Sequence, residues 1–175
     1  MSIARALIEK TVVQSRRSRH AGLNWHSPKP VSEEFLPPAW LQKIGHDTYK
    51  RYLNRKANAL MRRDRKRGGS YTVRQAMEAI HQAFWESDGI DPYDGMEMKG
   101  ELLGTYSNEA SKERRGEYKR EFARLPTVDH VYGKPNLAFE IVSWQTNDAK
   151  GDMTPDEYVA HCRAVVGHRA RLRSD

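Results

Sequence analysis

The stretch from residue 126 to residue 167 limits the possible folds most, because two strand patterns are followed there by helix signals. Residues 127–131 alternate β-branched and polar side chains, and residues 137–144 form the best strand candidate of the chain. The Thr-Pro-Asp-Glu run at residues 154–157 then supplies an N-cap, a proline at the first helical position and an acid at the third. This order predicts a single α+β domain.

Helices are predicted upstream of these strands. Residues 39–67 favour helix, with Gly45 as the weak point and Gly68 and Gly69 as the stop. A capping-box pattern, Thr-Val-Arg-Gln at residues 72–75, opens a second helix that ends near residue 87. The predicted regions are a basic, partly ordered arm at 1–37, a helical basic region at 38–90, an α+β core at 91–167 and a basic tail at 168–175.

Positive charge is concentrated in the first 70 residues, which hold 16 Lys and Arg against 5 Asp and Glu, whereas residues 71–175 hold 14 against 18. Nine of the basic residues fall among residues 50–67, where Asp64 is the only acid. Such a helix attracts phosphate backbones without reading sequence, which predicts a nucleic-acid partner, with DNA as the first choice. The alternatives are docking on the acidic segment 86–121 of the same chain, or binding an acidic protein. The residues expected to contact phosphates here are Arg55, Lys56, Arg62, Arg63, Arg65, Lys66 and Arg67.

The composition excludes several classes of protein. Only 38% of the 175 residues are hydrophobic and no run of about 18 apolar residues occurs, so no membrane span is expected. Cys162 is the only cysteine, which excludes an internal disulfide and an all-cysteine zinc site and favours a reducing, cytoplasmic location. Its place on the apolar side of the last helix predicts that it is buried, and Gly167 is the predicted end of that helix. The oligomeric state stays open.

The segment around the two strands carries the chemistry. Asp129 and His130 are adjacent at the end of the first predicted strand, and Asn147 and Lys150 follow the second. Phosphodiester hydrolysis needs hard oxygen ligands for a cation such as Mg²⁺ and a base that is neutral near pH 7, for which histidine is the natural residue. Because neighbours on a strand point to opposite faces, Asp129 and His130 can share a site only where the strand bends or ends, for example at Gly133.

These residues resemble the HNH endonucleases, the ββα-metal nucleases. The common pattern of that family runs from an Asp-His pair through a short hairpin to CxxCNxxKgd and then a helix. That element is matched by the run SWQTNDAK at residues 143–150, and the family's upstream knuckle, CxYCG, is matched by DPYDG at residues 91–95. The resemblance covers about residues 91–160. The family's central asparagine, which mostly holds the loop, would fall at Ala138, and the nearest asparagine is Asn136.

The four knuckle cysteines of the common subtype are all replaced in this chain. Asp91 and Asp94 stand in the first pair of places, and Ser143 and Thr146 stand in the second. None of the four is a soft ligand, so no structural zinc is expected. Hydrogen bonds are expected to set the local geometry instead, with the carboxylates accepting backbone N–H bonds and the hydroxyls donating. Plain turn formation is favoured for the two aspartates over a second cation site.

The resemblance implies both a fold and an activity. The fold would be a ββα-metal, HNH-like core with additional N-terminal helices. Asp129 and Asn147 would be ligands of Mg²⁺ or Mn²⁺, His130 would be the general base acting on water, and Lys150 would lie near a phosphate. The implied activity is metal-dependent hydrolysis of DNA phosphodiester bonds. The alternative is a non-catalytic nucleic-acid-binding protein on a degenerate HNH scaffold, with His130 structural, Asn147 a helix cap and Lys150 a surface residue.

Overall fold

The computed structural model describes residues 35–173, so the predicted arm as far as residue 34 and the last two residues of the predicted tail lie outside it. Within that range, helices combine with a small antiparallel sheet, and the α+β class is therefore confirmed. The elements in chain order are a 3₁₀ segment Ala39–Ile44, α1 His46–Arg65, α2 Val73–Glu86, a 3₁₀ turn Gly100–Leu102, α3 Asn108–Glu121, β1 Pro126–His130, β2 Phe139–Ser143, α4 Trp144–Lys150 and α5 Pro155–Arg171.

Gly45 separates the first 3₁₀ segment from α1, at the weak point predicted within residues 39–67. Its φ of 74° lies in the left-handed region, which glycine adopts without a steric penalty and which an α-helix excludes. The basic helix then continues to Arg65. The apolar side of α1 is buried and consists of Tyr49, Tyr52, Leu53, Ala57 and Leu60.

The second helix, α2, begins at the capping box that the sequence predicts. The Thr72 hydroxyl accepts from the backbone N–H of Gln75, and the Gln75 side chain accepts from the N–H of Thr72 at 2.9 Å. Ile80 and Phe84 on α2 are fully buried against α1, and the Phe84 ring meets the edge of Tyr49 at 5.5 Å. The α1–α2 pair thus supplies much of the hydrophobic core among residues 35–173.

A tight turn at residues 91–95 confirms the turn predicted from DPYDG. The Gly95 N–H donates to the Asp91 carbonyl at 2.9 Å, and Ile90 forms an antiparallel bridge with Glu97. Downstream, α3 starts at Asn108 with Ser107 as its cap, and its predicted helical character is confirmed. The helix is interrupted at Arg115, whose φ is 45°.

The two predicted strands form one antiparallel hairpin. The register runs from Pro126 opposite Ser143 to His130 opposite Phe139. Because side chains alternate between faces, Asp129 and its partner Glu140 share one face of the hairpin, while His130 and Phe139 share the other. The hairpin therefore divides the adjacent Asp-His pair between two surroundings.

The last helix, α5, begins at a capping box formed by Thr154 and Glu157, as predicted. The prediction that Gly167 ends this helix is wrong, since α5 continues to Arg171; an interior glycine costs only about 1 kcal/mol relative to alanine. The prediction that Cys162 is buried is also wrong. Its side chain is exposed because no residue of α5 is buried against the rest of residues 35–173. Across that same range, no helix has the length and apolar character needed to cross a membrane.

Candidate functional site

His130 lies at the end of β1 and is held on both ring nitrogens. Nε2 lies 2.7 Å from the Asp64 carboxylate, and Nδ1 lies 2.9 Å from a terminal nitrogen of Arg63. The ring packs against Phe139, with the centroids 4.9 Å apart, and the residue is only 4% exposed. Both polar partners come from α1, so the basic helix lies directly over the histidine.

Asp64 is the residue of this candidate site that the sequence interpretation missed. It is fully buried, and Tyr71 donates a hydrogen bond to the same oxygen that faces His130. Its second oxygen accepts from the Arg63 Nε at 3.2 Å. A signal was present in the sequence, because Asp64 is the single acid in a strongly basic run and such an acid requires a reason for its position.

The hydrogen bonds define the tautomer of His130. A guanidinium only donates, so Nδ1 accepts from Arg63, and the proton on Nε2 is donated to Asp64. Burial lowers the pKa of His130, an effect that the negative charge of Asp64 only partly offsets. Burial alone would raise the pKa of Asp64, but the Tyr71 hydrogen bond, the electrostatic interaction with His130, and the hydrogen bond and charge of Arg63 bring it below its ordinary value. The pair at neutral pH is therefore a neutral imidazole oriented by a carboxylate.

Asp129 faces the other side of the hairpin and is bound differently. One carboxylate oxygen accepts from the backbone N–H of His130 at 2.8 Å, and the other accepts from the Lys150 ammonium at 2.7 Å. Lys150 is 0% exposed and also reaches the His130 carbonyl at 3.3 Å. The structure thus places Lys150 in the interior, where its charge compensates Asp129, rather than on a surface open to phosphate.

Glu140 adds a second carboxylate to this buried face. It lies opposite Asp129 in the hairpin register and accepts from the Tyr93 hydroxyl at 2.7 Å. Burial raises the pKa of Glu140, and the nearby charges of Asp129 and Asp91 raise it further, while the Tyr93 hydrogen bond and the charge of Lys150 oppose the shift. Lys150 is therefore the positive charge that allows two carboxylates to sit side by side.

Asn147 lies on α4 and is half-buried, three residues before Lys150. Among residues 35–173, no hydrogen bond joins its side chain to Asp129 or His130, and no group of three or more His, Cys, Asp and Glu side chains is placed to hold a metal ion. The oxygens of Asp129 and Asn147 are nevertheless of the hard type that Mg²⁺ and Mn²⁺ prefer. The Lys150 ammonium already neutralises the charge of the Asp129 carboxylate.

Three of the four positions that correspond to knuckle cysteines meet in one buried hydrogen-bond cluster. One oxygen of Asp91 accepts from the Tyr93 N–H at 2.9 Å. Its other oxygen accepts from the Ser143 N–H at 2.8 Å and from the Thr146 hydroxyl at 2.7 Å. The Ser143 hydroxyl donates to Thr146 at 3.0 Å and accepts from its backbone N–H at 3.1 Å. The carboxylate thus ties the 91–95 turn to the start of α4, and the predicted hydrogen bonding at these positions is confirmed.

Asp94, the fourth position, turns away from that cluster. Its carboxylate accepts from the Met96 N–H at 2.9 Å and from both terminal nitrogens of Arg124 at 2.6 and 3.2 Å. The guanidinium of Arg124 also donates to the Met96 carbonyl at 2.7 Å. Asp94 therefore stabilises the turn through a forked ion pair rather than through Ser143 and Thr146.

The basic residues of α1 divide into an inward and an outward group. Lys56 donates to the Thr127 hydroxyl at 3.0 Å, and burial lowers the pKa of Lys56 to about 8. Arg63 contacts His130, and Arg67, just beyond α1, donates to the Gly133 carbonyl at 2.9 Å. These three side chains contact β1 and the following loop rather than the acidic segment 86–121. Among the residues predicted to contact phosphates, the outward, exposed group is Arg55, Arg62, Arg65 and Lys66.

Asn136 stabilises the loop between the strands. Its side-chain oxygen accepts from the backbone N–H of Ala138 at 3.1 Å, immediately before β2 begins. This is the asparagine nearest to the position where the HNH pattern has its central asparagine.

No protein-family model, curated protein or solved structure matches the chain.

Proposed function

We propose that this protein is a nucleic-acid-directed nuclease that hydrolyses phosphodiester bonds, DNA being the expected substrate, with His130 as the general base. The observation that carries the proposal is the buried Asp64–His130 pair beneath the basic surface of α1. A carboxylate that orients a neutral imidazole is a recurring arrangement for taking a proton from a nucleophile. An HNH-like ββα core, with β1, β2 and α4 as its elements, belongs to this proposal.

Arg63 controls access to the base in this mechanism. Its guanidinium covers Nδ1 of His130, yet its side chain is 53% exposed. A substrate phosphate near α1 draws the guanidinium outward, since bidentate arginine–phosphate pairs are stronger than a hydrogen bond to a neutral ring. Nδ1 is then free to accept the proton of an attacking water, while Asp64 stabilises the resulting imidazolium.

The exposed basic residues of α1 bind the polyanion. Arg62, Arg65 and Lys66 are exposed at the end of the same helix that supplies Asp64 and Arg63. Their contacts would be with the backbone and would not read sequence. Arg67 lies beside them, 40% exposed, next to the loop that follows His130. A strand held there would pass close to the histidine.

The proposal includes a divalent cation, because Asp129 and Asn147 carry the hard oxygen donors that Mg²⁺ and Mn²⁺ prefer. Asp129 and Asn147 would hold it on the face of the hairpin opposite His130, where it would supply positive charge for the phosphate backbone rather than share one site with the base. In the structure, the Lys150 ammonium donates a hydrogen bond to one carboxylate oxygen of Asp129. A cation at Asp129 would therefore compete with the Lys150 ammonium. A Lys150 variant without the ammonium should bind the cation more tightly.

The test is cleavage of supercoiled plasmid with Mg²⁺, Mn²⁺, Ca²⁺ or EDTA. We expect cleavage in Mg²⁺ or Mn²⁺, and a loss of about 10²–10⁴-fold for His130→Ala, the usual range for a general base. His168→Ala is the matched control, because His168 is exposed on α5. Equal cleavage by wild type and His130→Ala would show that the histidine is not the base.

A second candidate is favoured by one observation, the buried Asp129–Lys150 ion pair. A carboxylate that the protein's own ammonium already neutralises needs no cation to balance its charge. The protein would then bind nucleic acid through α1 without cutting it. Salt-sensitive retention of DNA together with no cleavage in any of the four plasmid reactions would select this candidate over the nuclease.

A further inference from the structure

The turn that follows His130 displays a tyrosine on the surface. The Gly133 N–H donates to the His130 carbonyl at 3.3 Å, which closes a four-residue turn with Val131 and Tyr132 at its corner. Tyr132 is 52% exposed, and within residues 35–173 its hydroxyl forms no hydrogen bond and its ring pairs with no other aromatic ring. Successive Cα atoms are about 3.8 Å apart, so the Cα of residue 132 lies within about 7.6 Å of that of residue 130. An exposed aromatic ring therefore lies beside the candidate base.

Contacts from two other segments hold this turn in one position. Arg67, just beyond α1, donates to the Gly133 carbonyl at 2.9 Å. The Asp152 carbonyl lies so close to Gly133 that a Cβ atom there would come within 2.6 Å of its oxygen. The φ of Gly133, 62°, also lies in the region that favours glycine. A ring on a fixed turn loses little freedom when a ligand binds, which favours recognition.

Positive charge surrounds the turn. The Arg67 side chain is 40% exposed. Lys66 precedes it and Lys134 follows the turn, and both are exposed. An acid, Asp152, lies 3.8 Å from Arg67, but its side chain is 87% exposed, so solvent screens the pair. The turn thus combines an aromatic ring with cations that a phosphate can reach.

An aromatic ring among cations is suited to single-stranded nucleic acid. Bases stack on such a ring while the cations hold the backbone, and the stacking tolerates any sequence because every base has a flat face. In a duplex, both faces of each base are covered by its neighbours, so a ring reaches a face only when the base is unpaired or flipped out. The ring therefore distinguishes unpaired from paired bases.

We propose that Tyr132 is a stacking platform for an unpaired base and that the substrate class of this site is single-stranded DNA. This role rests on the nuclease function proposed above and names the substrate class of that same site. A base on Tyr132 brings its backbone to Arg67, and the strand continues towards the Arg63 guanidinium that covers His130. The basic surface of α1 attracts any DNA, whereas Tyr132 selects the unpaired strand.

The first experiment measures binding of the full chain to a fluorescein-labelled oligothymidylate and to a labelled duplex, by anisotropy in EDTA. EDTA prevents metal-dependent cleavage, so affinity is read apart from activity. Tyr132→Ala should weaken binding of the single strand by at least about fivefold, the lower limit for one stacked base. The same variant should leave the duplex affinity unchanged.

Two variants separate stacking from other roles of the side chain. Tyr132→Phe keeps the ring and should bind the single strand like wild type. Met96→Ala is the matched control, because Met96 is 58% exposed beside the turn that Asp91 ties to Ser143, at the end of the hairpin opposite His130. The salt dependence of binding should be the same in Tyr132→Ala and wild type, since no phosphate contact is removed.

Two results in this assay overturn the stacking platform. One is an unchanged affinity of Tyr132→Ala for the single strand, which is also the result expected if residues 1–34 or a protein partner cover the ring. The other is equal weakening of single-strand and duplex binding, which would mean that Tyr132 supports the general DNA surface without selecting unpaired bases.

Cleavage of the same two DNAs in Mg²⁺ or Mn²⁺ distinguishes this role from the nuclease function. We expect the single strand to be cut in preference, and Tyr132→Ala to raise KM with little change in kcat, because stacking binds the ground state and the transition state alike. If neither DNA is cut but single-strand binding still depends on Tyr132, the nuclease function fails and the platform stands. If both DNAs are cut at equal rates by wild type and Tyr132→Ala, the nuclease function stands and the platform is overturned.

Discussion

The two faces of the β1–β2 hairpin treat adjacent residues in opposite ways. On one face, His130 is a neutral ring oriented by the buried Asp64 carboxylate. Its other ring nitrogen, Nδ1, accepts from the half-exposed guanidinium of Arg63. On the other face, Asp129 is a charged group whose compensation, the Lys150 ammonium, is itself fully buried. On the His130 face, the half-exposed Arg63 guanidinium can leave the ring for solvent. On the Asp129 face, both members of the ion pair are buried, and we call this face closed and the His130 face open. The difference shows how one residue step along a strand separates a candidate reactive group from a structural ion pair.

Removing the Lys150 charge from the Asp129 face should have the largest effect on stability. Lys150→Met leaves Asp129 and Glu140 side by side without their positive charge, and we expect the free energy of unfolding to fall by about 3–5 kcal/mol, the range for a buried pair that loses one partner. Urea unfolding measures this. Adding Asp129→Asn to Lys150→Met should recover much of the loss. If the single variant is as stable as wild type, the pair does not compensate Asp129.

The same variant tests competition with a cation. Without the ammonium, the Asp129 carboxylate is free to bind Mg²⁺, so millimolar Mg²⁺ should raise the Tm of Lys150→Met more than that of wild type. Thermal unfolding with Mg²⁺, and with equal ionic strength of Na⁺ as the control, separates binding from screening. Equal Tm shifts in the two salts would count against a cation site at Asp129.

The open face should respond more in activity than in stability. Asp64→Asn removes the charge that orients and supports His130, and we expect a loss of about 1–3 kcal/mol in unfolding free energy together with loss of cleavage. The pKa of His130 should fall further, since the Asp64 charge raises it. A histidine NMR titration reads this directly. Tyr71→Phe is the comparison, because it removes one hydrogen bond from Asp64 and keeps the charge.

The pH dependence of the unfolding free energy should distinguish the His130 face from the Asp129 face, and this effect should be smaller. The pKa of His130 is lowered in the folded protein, so the unfolded chain binds more protons below about pH 6.5. The free energy of unfolding should therefore fall as pH drops below 6.5, and His130→Gln should lack that step. Denaturant unfolding between pH 5.5 and 7.5 measures it. An identical pH profile in the variant would assign the step to another group.

The exposed residues of α1 should show the smallest change in stability. Arg62→Ala should alter the unfolding free energy by no more than about 0.5 kcal/mol, as for most surface positions. It should nevertheless lower the salt dependence of DNA binding by about one phosphate contact. Fluorescence anisotropy at several salt concentrations measures the slope. Lys112→Ala on α3 is the control, and equal slopes for both variants would place the nucleic acid elsewhere.

Local signals predicted most of the elements. The Thr72 and Thr154 caps and the Gly45 break depend only on residues within one turn, so the sequence locates them. The strands at residues 126–130 and 139–143 follow from short-range alternation in the same way. The end of α5 was not predictable at this level, because Gly167 weakens a helix without forbidding it.

The candidate site was predictable only in part. Asp129 and His130 are adjacent, and pattern alone singles them out. Asp64 lies 66 residues from His130, so its contact exists only because α1 packs over the hairpin. Burial of Lys150 depends likewise on how α4 meets β1, and nothing in the eight residues 143–150 distinguishes a buried lysine from a surface one.

The sequence by itself determined the order of helices and strands, the basic character of α1 and the hydrogen-bonding residues of the 91–95 turn and the start of α4. These properties are short-range, since capping, glycine breaks and side-chain alternation act over a few residues. Only the tertiary structure decided which partner each charge has: Asp64 for His130, and Lys150 for Asp129. It also decided that no residue of α5 is buried against the rest of residues 35–173. Electrostatic and packing energies depend on distance and burial, and those quantities exist only once distant segments have come together.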